Sequence, residues 1–127
     1  MMKEIVHTAK APNPIGPYNQ AVKAGNTLYC SGQIAIDPEN GELLRGSVGA
    51  ETRQVMENLK YILEEAEMAL SDVVKCSIFL RNMDDFTIVN EVYGAYFIEN
   101  FPARETVQVA RLPKDARVEI SLIAVKA

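Results

Sequence analysis

The chain has 127 residues, of which 48% are hydrophobic and 24% charged, values that are ordinary for a globular protein and disfavour disorder. We expect a single domain over residues 1–127. The net charge of −4 argues against nucleic acid or an anionic membrane as the main partner. No apolar run reaches transmembrane length, and the N-terminal segment lacks the long apolar core of a signal peptide, so we expect a cytoplasmic protein.

The first part of the chain predicts short strands separated by turns. Residues 3–7 form the first strand, and residues 11–17 form a stiff irregular loop because they include three prolines and a glycine. A hairpin follows, with strands at residues 20–23 and 27–31 around an Ala-Gly-Asn turn. Residues 37–41 predict a second turn between two short extended pieces.

The second part of the chain predicts two helices. Residues 49–69 form a long amphipathic helix, because their apolar side chains recur at helical spacing. Capping groups at residues 82–85 begin a second helix, which continues to about residue 97 and is stopped before Pro102. The remaining strands are predicted at residues 73–80, 104–109 and 117–125.

This order predicts an α+β fold with a single mixed six-stranded sheet and both helices packed on one face. Strand alternation then assigns a mixed set of side chains to the opposite face. A surface of this composition is typical of a subunit interface or a ligand groove. The set contains Thr27, Tyr29, Ser31, Lys75, Ser77, Phe79, Thr106, Gln108, Glu119 and Ser121.

Several catalytic classes are excluded by the residues that the chain lacks. Cys30 and Cys76 fall on the apolar faces of strands, with Val74 on the same face as Cys76, and we expect two buried reduced thiols. Together with His7, the only histidine, they cannot form a four-ligand zinc site, and a Ser–His pair is not indicated. Neither a dinucleotide-binding glycine motif nor a phosphate-binding loop is present.

Two charged residues stand out on the last two strands. Arg104 is suited to binding a carboxylate through two parallel hydrogen bonds, and Glu119, between Val118 and Ile120, is suited to deprotonating a water. The alternatives are a structural salt bridge for the arginine and a solvent-facing strand position for the glutamate. Hydroxyls of Ser31 and Thr106 at strand ends are suited to holding a water or a polar substrate atom, although such residues commonly only fill space.

The ordered set of motifs along the whole chain resembles the RidA (YjgF/YER057c/UK114) family. The resemblance implies a chorismate-mutase-like homotrimer whose three sheets form a central barrel with clefts between subunits. The motifs are Ile15-Gly16-Pro17-Tyr18-Asn19-Gln20-Ala21, Tyr29-Cys30-Ser31-Gly32-Gln33, Phe101-Pro102-Ala103-Arg104, Val109-Ala110-Arg111-Leu112-Pro113-Lys114-Asp115 and Val118-Glu119-Ile120.

The resemblance also implies an activity. Similar proteins hydrolyse 2-iminobutanoate and 2-iminopropanoate to 2-keto acids and ammonia, with no metal or organic cofactor. Carried over by position, Arg104 would bind the substrate carboxylate, and Glu119 would orient and deprotonate water. The pocket would be lined by Tyr18, Ser31, Gly32, Thr106 and, from the second helix, Asn90.

Two positions depart from the family pattern. Thr106 stands where many deaminases carry Cys, and Glu105 stands where a small residue is usual. Glu105 has the opposite strand parity from Arg104, so we expect it to point away from the arginine. A non-catalytic trimer that binds small carboxylates is the alternative function. A ribonuclease is disfavoured by the missing basic surface and histidine pair.

Overall fold

The computed structural model describes residues 3–127, so Met1 and Met2 of the N-terminal segment lie outside the described residues. Short 3₁₀ turns occur at Leu70–Asp72, Met83–Asp85 and Pro113–Asp115. Within residues 3–127, neither helix has the length and apolar content needed to cross a bilayer. The elements are β1 (Lys3–Val6), β2 (Ala21–Ala24), β3 (Thr27–Gln33), α1 (Val48–Glu65), β4 (Val73–Leu80), α2 (Phe86–Gly94), β5 (Ala103–Gln108) and β6 (Val118–Val125).

The six strands form one mixed sheet in the order β1-β2-β3-β6-β4-β5. Neighbouring strands are antiparallel except β4 and β5, which are parallel and are connected through α2. The helices cover one face of the sheet, and their buried side chains share one core with the strands. The α+β prediction, with one mixed six-stranded sheet and two helices on one face, is therefore confirmed.

Helix α1 has the predicted apolar face but ends earlier than predicted. Its side chains Val55, Met56, Leu59, Ile62 and Leu63 are fully buried. The helix ends at Glu65, because Glu67 adopts a positive φ of 60°. The amides of Glu67 and Met68 then donate to the carbonyls of Glu64 (2.9 Å) and Leu63 (2.8 Å), which closes a Schellman motif. A glutamate stands where glycine is usual, so the sequence carries no stop signal there.

Two β-bulges shift the alternation of the central strands. The pairing of β4 with β6 slips between Val73 and Lys75, which leaves Val74 exposed and makes its predicted position on the apolar face wrong. The pairing of β3 with β6 slips between Cys30 and Gln33. The second bulge falls on the Ser31-Gly32 segment, where the strand leaves regular geometry.

The register decides which face of the sheet each charged residue occupies. Arg104 pairs with Cys76, which is buried under the helices, so the arginine lies on the helix-covered face. Glu119 pairs with Phe79 and lies on the opposite face. The prediction that Thr106 and Gln108 lie on the face opposite the helices is wrong, since they pair with the buried Ile78 and Leu80.

A buried ion pair fixes the start of β6. Glu51 of α1 is 2% exposed and accepts hydrogen bonds from the backbone amide of Arg117 (3.2 Å) and from its guanidinium. The same guanidinium donates to the carbonyl of Gly46. Because Arg117 lies two residues before Glu119, this contact joins the first turn of α1 to the strand that carries the candidate base.

Replacing Glu51 with Gln should lower the free energy of unfolding by about 1–3 kcal/mol, because the partly exposed Arg117 guanidinium loses its buried counter-charge. The measurement is urea unfolding at fixed protein concentration. Glu64→Gln, an exposed position on the same helix, is the matched control and should change stability by no more than about 0.5 kcal/mol. Equal stabilities for the two variants would contradict the assignment.

Candidate active site

Glu119 lies at a small cavity on the face opposite the helices. The cavity has a volume of about 40 Å³, and Gly32, Pro113 and Tyr18 also line it. A water needs roughly 10–15 Å³ of such volume, so the cavity can hold a few waters but not a substrate with its carboxylate. The arrangement is therefore suited to activating a water rather than to enclosing a complete substrate.

The electrostatics of Glu119 suit a proton acceptor. Burial raises the pKa of its carboxyl above the ordinary value of 4.5. Within residues 3–127 the carboxylate has no hydrogen-bond donor and no cation in salt-bridge distance, so its lone pairs are available. A carboxylate with a raised pKa is a stronger base than an exposed one.

Gly32 lets the Glu119 carboxylate approach β3 closely. A Cβ at this position would lie 2.7 Å from both Cδ and Oε2 of Glu119. The neighbouring Ser31 does not line the cavity, because its hydroxyl donates to the carbonyl of Asn19 at 2.6 Å. The predicted glycine therefore contacts the candidate base, whereas the predicted serine fixes the loop behind it.

A loop of prolines forms the outer wall of the cavity, and Gln20 holds that loop. The Gln20 side chain is 1% exposed, accepts from the amide of Thr8 (2.7 Å) and donates to the carbonyls of Thr8 (3.0 Å) and Pro12 (2.9 Å). Tyr18 follows the loop, and its hydroxyl accepts from the amide of Ile15 at 3.3 Å. These bonds fix the Tyr18 phenol at the mouth of the cavity.

Arg104 lies in a separate cleft on the helix-covered side. The cleft is open and has a volume of about 490 Å³, and Asn90, Tyr93 and Phe101 line it together with the arginine. The guanidinium lies over two aromatic rings of α2, with Cζ 5.0 Å from the Tyr93 centroid and 5.7 Å from the Phe86 centroid. Among the described residues it has no carboxylate in salt-bridge distance.

The structure thus sorts the predicted site residues into two groups. Tyr18, Gly32 and Glu119 meet at one cavity, and Arg104 and Asn90 meet at another. Strand β4 lies between β5 and β6, so the two charged residues stand on different strands and on opposite faces. Arg104 has the strand parity of Thr106, which was predicted to share a face with Glu119, and the register shows that this common face is wrong.

Neither thiol lines either cavity, although Cys76 lies beside the Tyr93 hydroxyl. Cys30 and Cys76 are buried free cysteines, and both pair with Leu122 from opposite sides of β6. Burial raises the pKa of Cys30 to about 12 and that of Cys76 above its usual value, so both stay protonated at neutral pH. Among the described residues, no group of three or more His, Cys, Asp or Glu could hold a metal ion.

Comparison with known proteins identifies the family. Residues 8–126 match the family described as Endoribonuclease L-PSP. A RutC family protein of Pyrococcus horikoshii is 54% identical over 125 residues, which cover 98% of this chain and 99% of that protein. The chain belongs to the RidA/YjgF family.

Two further relatives of this RidA/YjgF protein bear on its chemistry. A human protein named 2-iminobutanoate/2-iminopropanoate deaminase is 45% identical over 126 residues, which cover 99% of this chain and 92% of the human one. The crystal structure of Escherichia coli TdcF with bound serine has a TM-score of 0.94 and 40% identity, covering 98% of this chain and 99% of that one.

The two departures from the family pattern have different structural settings. Glu105 points away from Arg104, as predicted, because its carboxylate accepts from the Ser77 hydroxyl and pairs with Lys75 at 3.0 Å. These bonds lower the pKa of the Glu105 carboxyl, so it stays ionised and bound to Ser77 and Lys75. Thr106 shares the face of Arg104, and its buried Oγ1 has no hydrogen-bond partner among the described residues.

Sequence reasoning missed the residues that hold the site in place. Gln20 stands inside a quoted motif, but only the structure shows its bonds to the proline loop. Phe86 and Tyr93 lie seven residues apart on the second helix, at a spacing that puts apolar side chains on one face. That spacing indicated a core stripe, and nothing in the sequence signalled a contact with Arg104 on the strand that follows the helix.

Gly32→Ala should displace the Glu119 carboxylate without unfolding the protein, because the clash falls on the far end of a flexible side chain. From 2.7 Å, the carboxylate must retreat by roughly 0.7 Å to reach an ordinary contact of 3.4 Å. A crystal structure of the variant measures the shift. Gly46→Ala is the control, since a Cβ there meets nothing within 4 Å. An unmoved Glu119 in Gly32→Ala would contradict the close approach.

Proposed function

We propose that this protein is a hydrolytic deaminase that converts small 2-imino acids, such as 2-iminobutanoate and 2-iminopropanoate, to 2-keto acids and ammonia. The observation that carries the proposal is a guanidinium and a carboxylate that both lack partners among the described residues, each facing a cavity. The deaminase name of the human relative and the serine bound to TdcF, a small molecule with a carboxylate, support it.

The separation of the two groups supports an active site shared between copies of the chain. In one chain the sheet lies between Arg104 and Glu119, and the Glu119 cavity of about 40 Å³ is too small for a whole substrate. A homotrimer with clefts between its subunits, as the family resemblance implies, would bring Arg104 of one subunit to Glu119 of the next. The substrate carboxylate then binds the arginine, and its imine carbon faces the glutamate.

The chemistry follows from these two groups. A protonated imine carbon is electrophilic, so a water that loses a proton to Glu119 can form the new C–O bond and give a carbinolamine. Glu119 returns this proton to the nitrogen. The C–N bond then breaks with its electrons on nitrogen, ammonia leaves, and the hydroxyl proton is released as the keto group forms. Thr106 and Tyr18 would hold water or substrate atoms at the two ends of the cleft.

The direct test couples a threonine dehydratase to semicarbazide trapping of the iminobutanoate. This protein should suppress semicarbazone formation by hydrolysing the imine first.

Arg104→Ala should weaken carboxylate binding by at least about 100-fold, since two charge-assisted hydrogen bonds are lost. Glu119→Gln should slow turnover by about 100-fold or more and keep 2-oxobutanoate binding measurable. If the wild-type protein binds the keto acid but does not lower the semicarbazone yield, the result would favour a non-catalytic binding module.

Mixed assemblies test whether the site is shared. Arg104→Ala and Glu119→Gln subunits with different tags are co-expressed, and assemblies carrying both tags are purified. Such trimers should recover about one third of wild-type turnover, because a closed ring of three that contains both variants has one interface with both native residues. A site within one chain would leave the mixed assemblies as inactive as their parents.

The pH dependence follows from the raised pKa of Glu119. The basic form is lost as the pH falls through that pKa, so the decline of kcat/KM should be centred at a pH above the ordinary glutamate value of 4.5. The measurement is initial rates across the acidic range, corrected for uncatalysed hydrolysis. A decline centred at or below 4.5 would show that the functional carboxylate is not the desolvated one.

A further inference from the structure

We infer that Tyr93 is a positioning residue whose aromatic ring fixes the Arg104 guanidinium in the orientation that binds the substrate carboxylate. The inference rests on the proposed function, because it concerns how that carboxylate is bound.

The guanidinium is flanked by aromatic rings from α2. Its Cζ lies 5.0 Å from the Tyr93 centroid and 5.7 Å from the Phe86 centroid, both within the range of about 6 Å for a cation–π interaction. Tyr93 and Phe86 are seven residues apart, two turns of helix, so they project from the same side of α2. Two rings of one helix therefore contact the cation together.

The kind of partner matters for binding. Within the described residues the Arg104 guanidinium makes neither a salt bridge nor a hydrogen bond. A carboxylate partner would occupy the paired N–H donors that a substrate carboxylate needs. An aromatic ring attracts the cation through its quadrupole and leaves those donors without a competing anion. The contact thus restrains the arginine without neutralising it.

Tyr93 is the rigid member of the pair. Its side chain is 4% exposed, whereas that of Phe86 is 37% exposed. The Tyr93 ring packs against Phe97 with centroids 5.0 Å apart, and Phe97 in turn packs against Phe101 at 6.1 Å. A ring fixed by its own neighbours can fix the guanidinium that it contacts, and a mostly exposed ring cannot do so as firmly.

A plain structural role for Tyr93 is the competing explanation, and the chain offers variants that separate the two. The Tyr93 hydroxyl lies beside the Cys76 thiol without a hydrogen bond of ordinary geometry, so Tyr93→Phe removes at most a weak contact and keeps the ring. Tyr93→Leu removes the ring and keeps an apolar side chain. Val89→Ala, at a core position of α2 that is 1% exposed, is the matched control for loosened packing of the helix.

The experiment measures binding of 2-oxobutanoate by calorimetry and the ¹H–¹⁵N signal of the Arg104 Nε–H by NMR. Tyr93→Leu should raise Kd by about 5- to 30-fold, because the free guanidinium then also adopts orientations that cannot bind the carboxylate. Tyr93→Phe and Val89→Ala should bind as the wild type does. In the Arg104→Ala background, Tyr93→Leu should have no further effect on Kd, because the ring acts through the arginine.

The NMR signal tests the contact without any ligand. Ring currents should shift the Arg104 Nε–H in the wild type and in Tyr93→Phe, and the signal should move only in Tyr93→Leu. Two results would overturn the inference: the same Kd for Tyr93→Leu and Val89→Ala, or the same loss of affinity in Tyr93→Phe and Tyr93→Leu. Either result leaves the proposed function standing if the wild-type protein hydrolyses the imine. Wild-type binding with the expected Tyr93 effects but no imine hydrolysis would overturn only the deaminase.

Discussion

Strand alternation within one sheet is the constraint on which the rest of this molecule depends. Strand β4 pairs with both β5 and β6, so Arg104 and Glu119 are joined through a rigid strand and project to opposite faces. No movement of side chains can bring the two charges to one small molecule across the sheet. The proposed site, which uses both, would therefore take them from two copies of the chain.

The two charged groups are left without partners where a stable fold would normally supply them. Among the described residues, Glu119 has no donor and Arg104 has no acceptor, whereas Glu51 and Arg117 pair with each other. Burial of an unpaired carboxylate disfavours its ionised form, as the raised pKa of Glu119 shows. The buried ion pair and the hydrogen bonds of Gln20 hold the surrounding backbone, so the open groups keep their geometry without bonds of their own.

Much of the fold followed from periodicity, and the errors have identifiable physical causes. The bounds of β4 were predicted correctly, because an apolar alternation ends at clear breaks on both sides. Helix α1 ended early because Glu67 adopts a left-handed conformation without the usual glycine. The face of β5 was wrong because alternation states which residues share a face but not which face is covered. On β5 the apolar Val107 faces away from the helices and is 41% exposed, whereas the residues that face the helices are polar. The composition of this strand therefore indicates the wrong face as the covered one.

The site residues were predicted from motif positions, and a motif does not show which hydrogen bonds the surroundings of a residue supply. Thr106 is an example. A buried thiol at this position would tolerate the lack of a hydrogen bond, because cysteine behaves as a small hydrophobe. A buried hydroxyl without a partner costs about 1–3 kcal/mol. Since Thr106 Oγ1 has no partner among the described residues, a water or ligand atom that pairs with it recovers that free energy. Thr106 therefore places an unsatisfied hydrogen-bonding group on the same face of β5 as Arg104, which a thiol at the same position would not do.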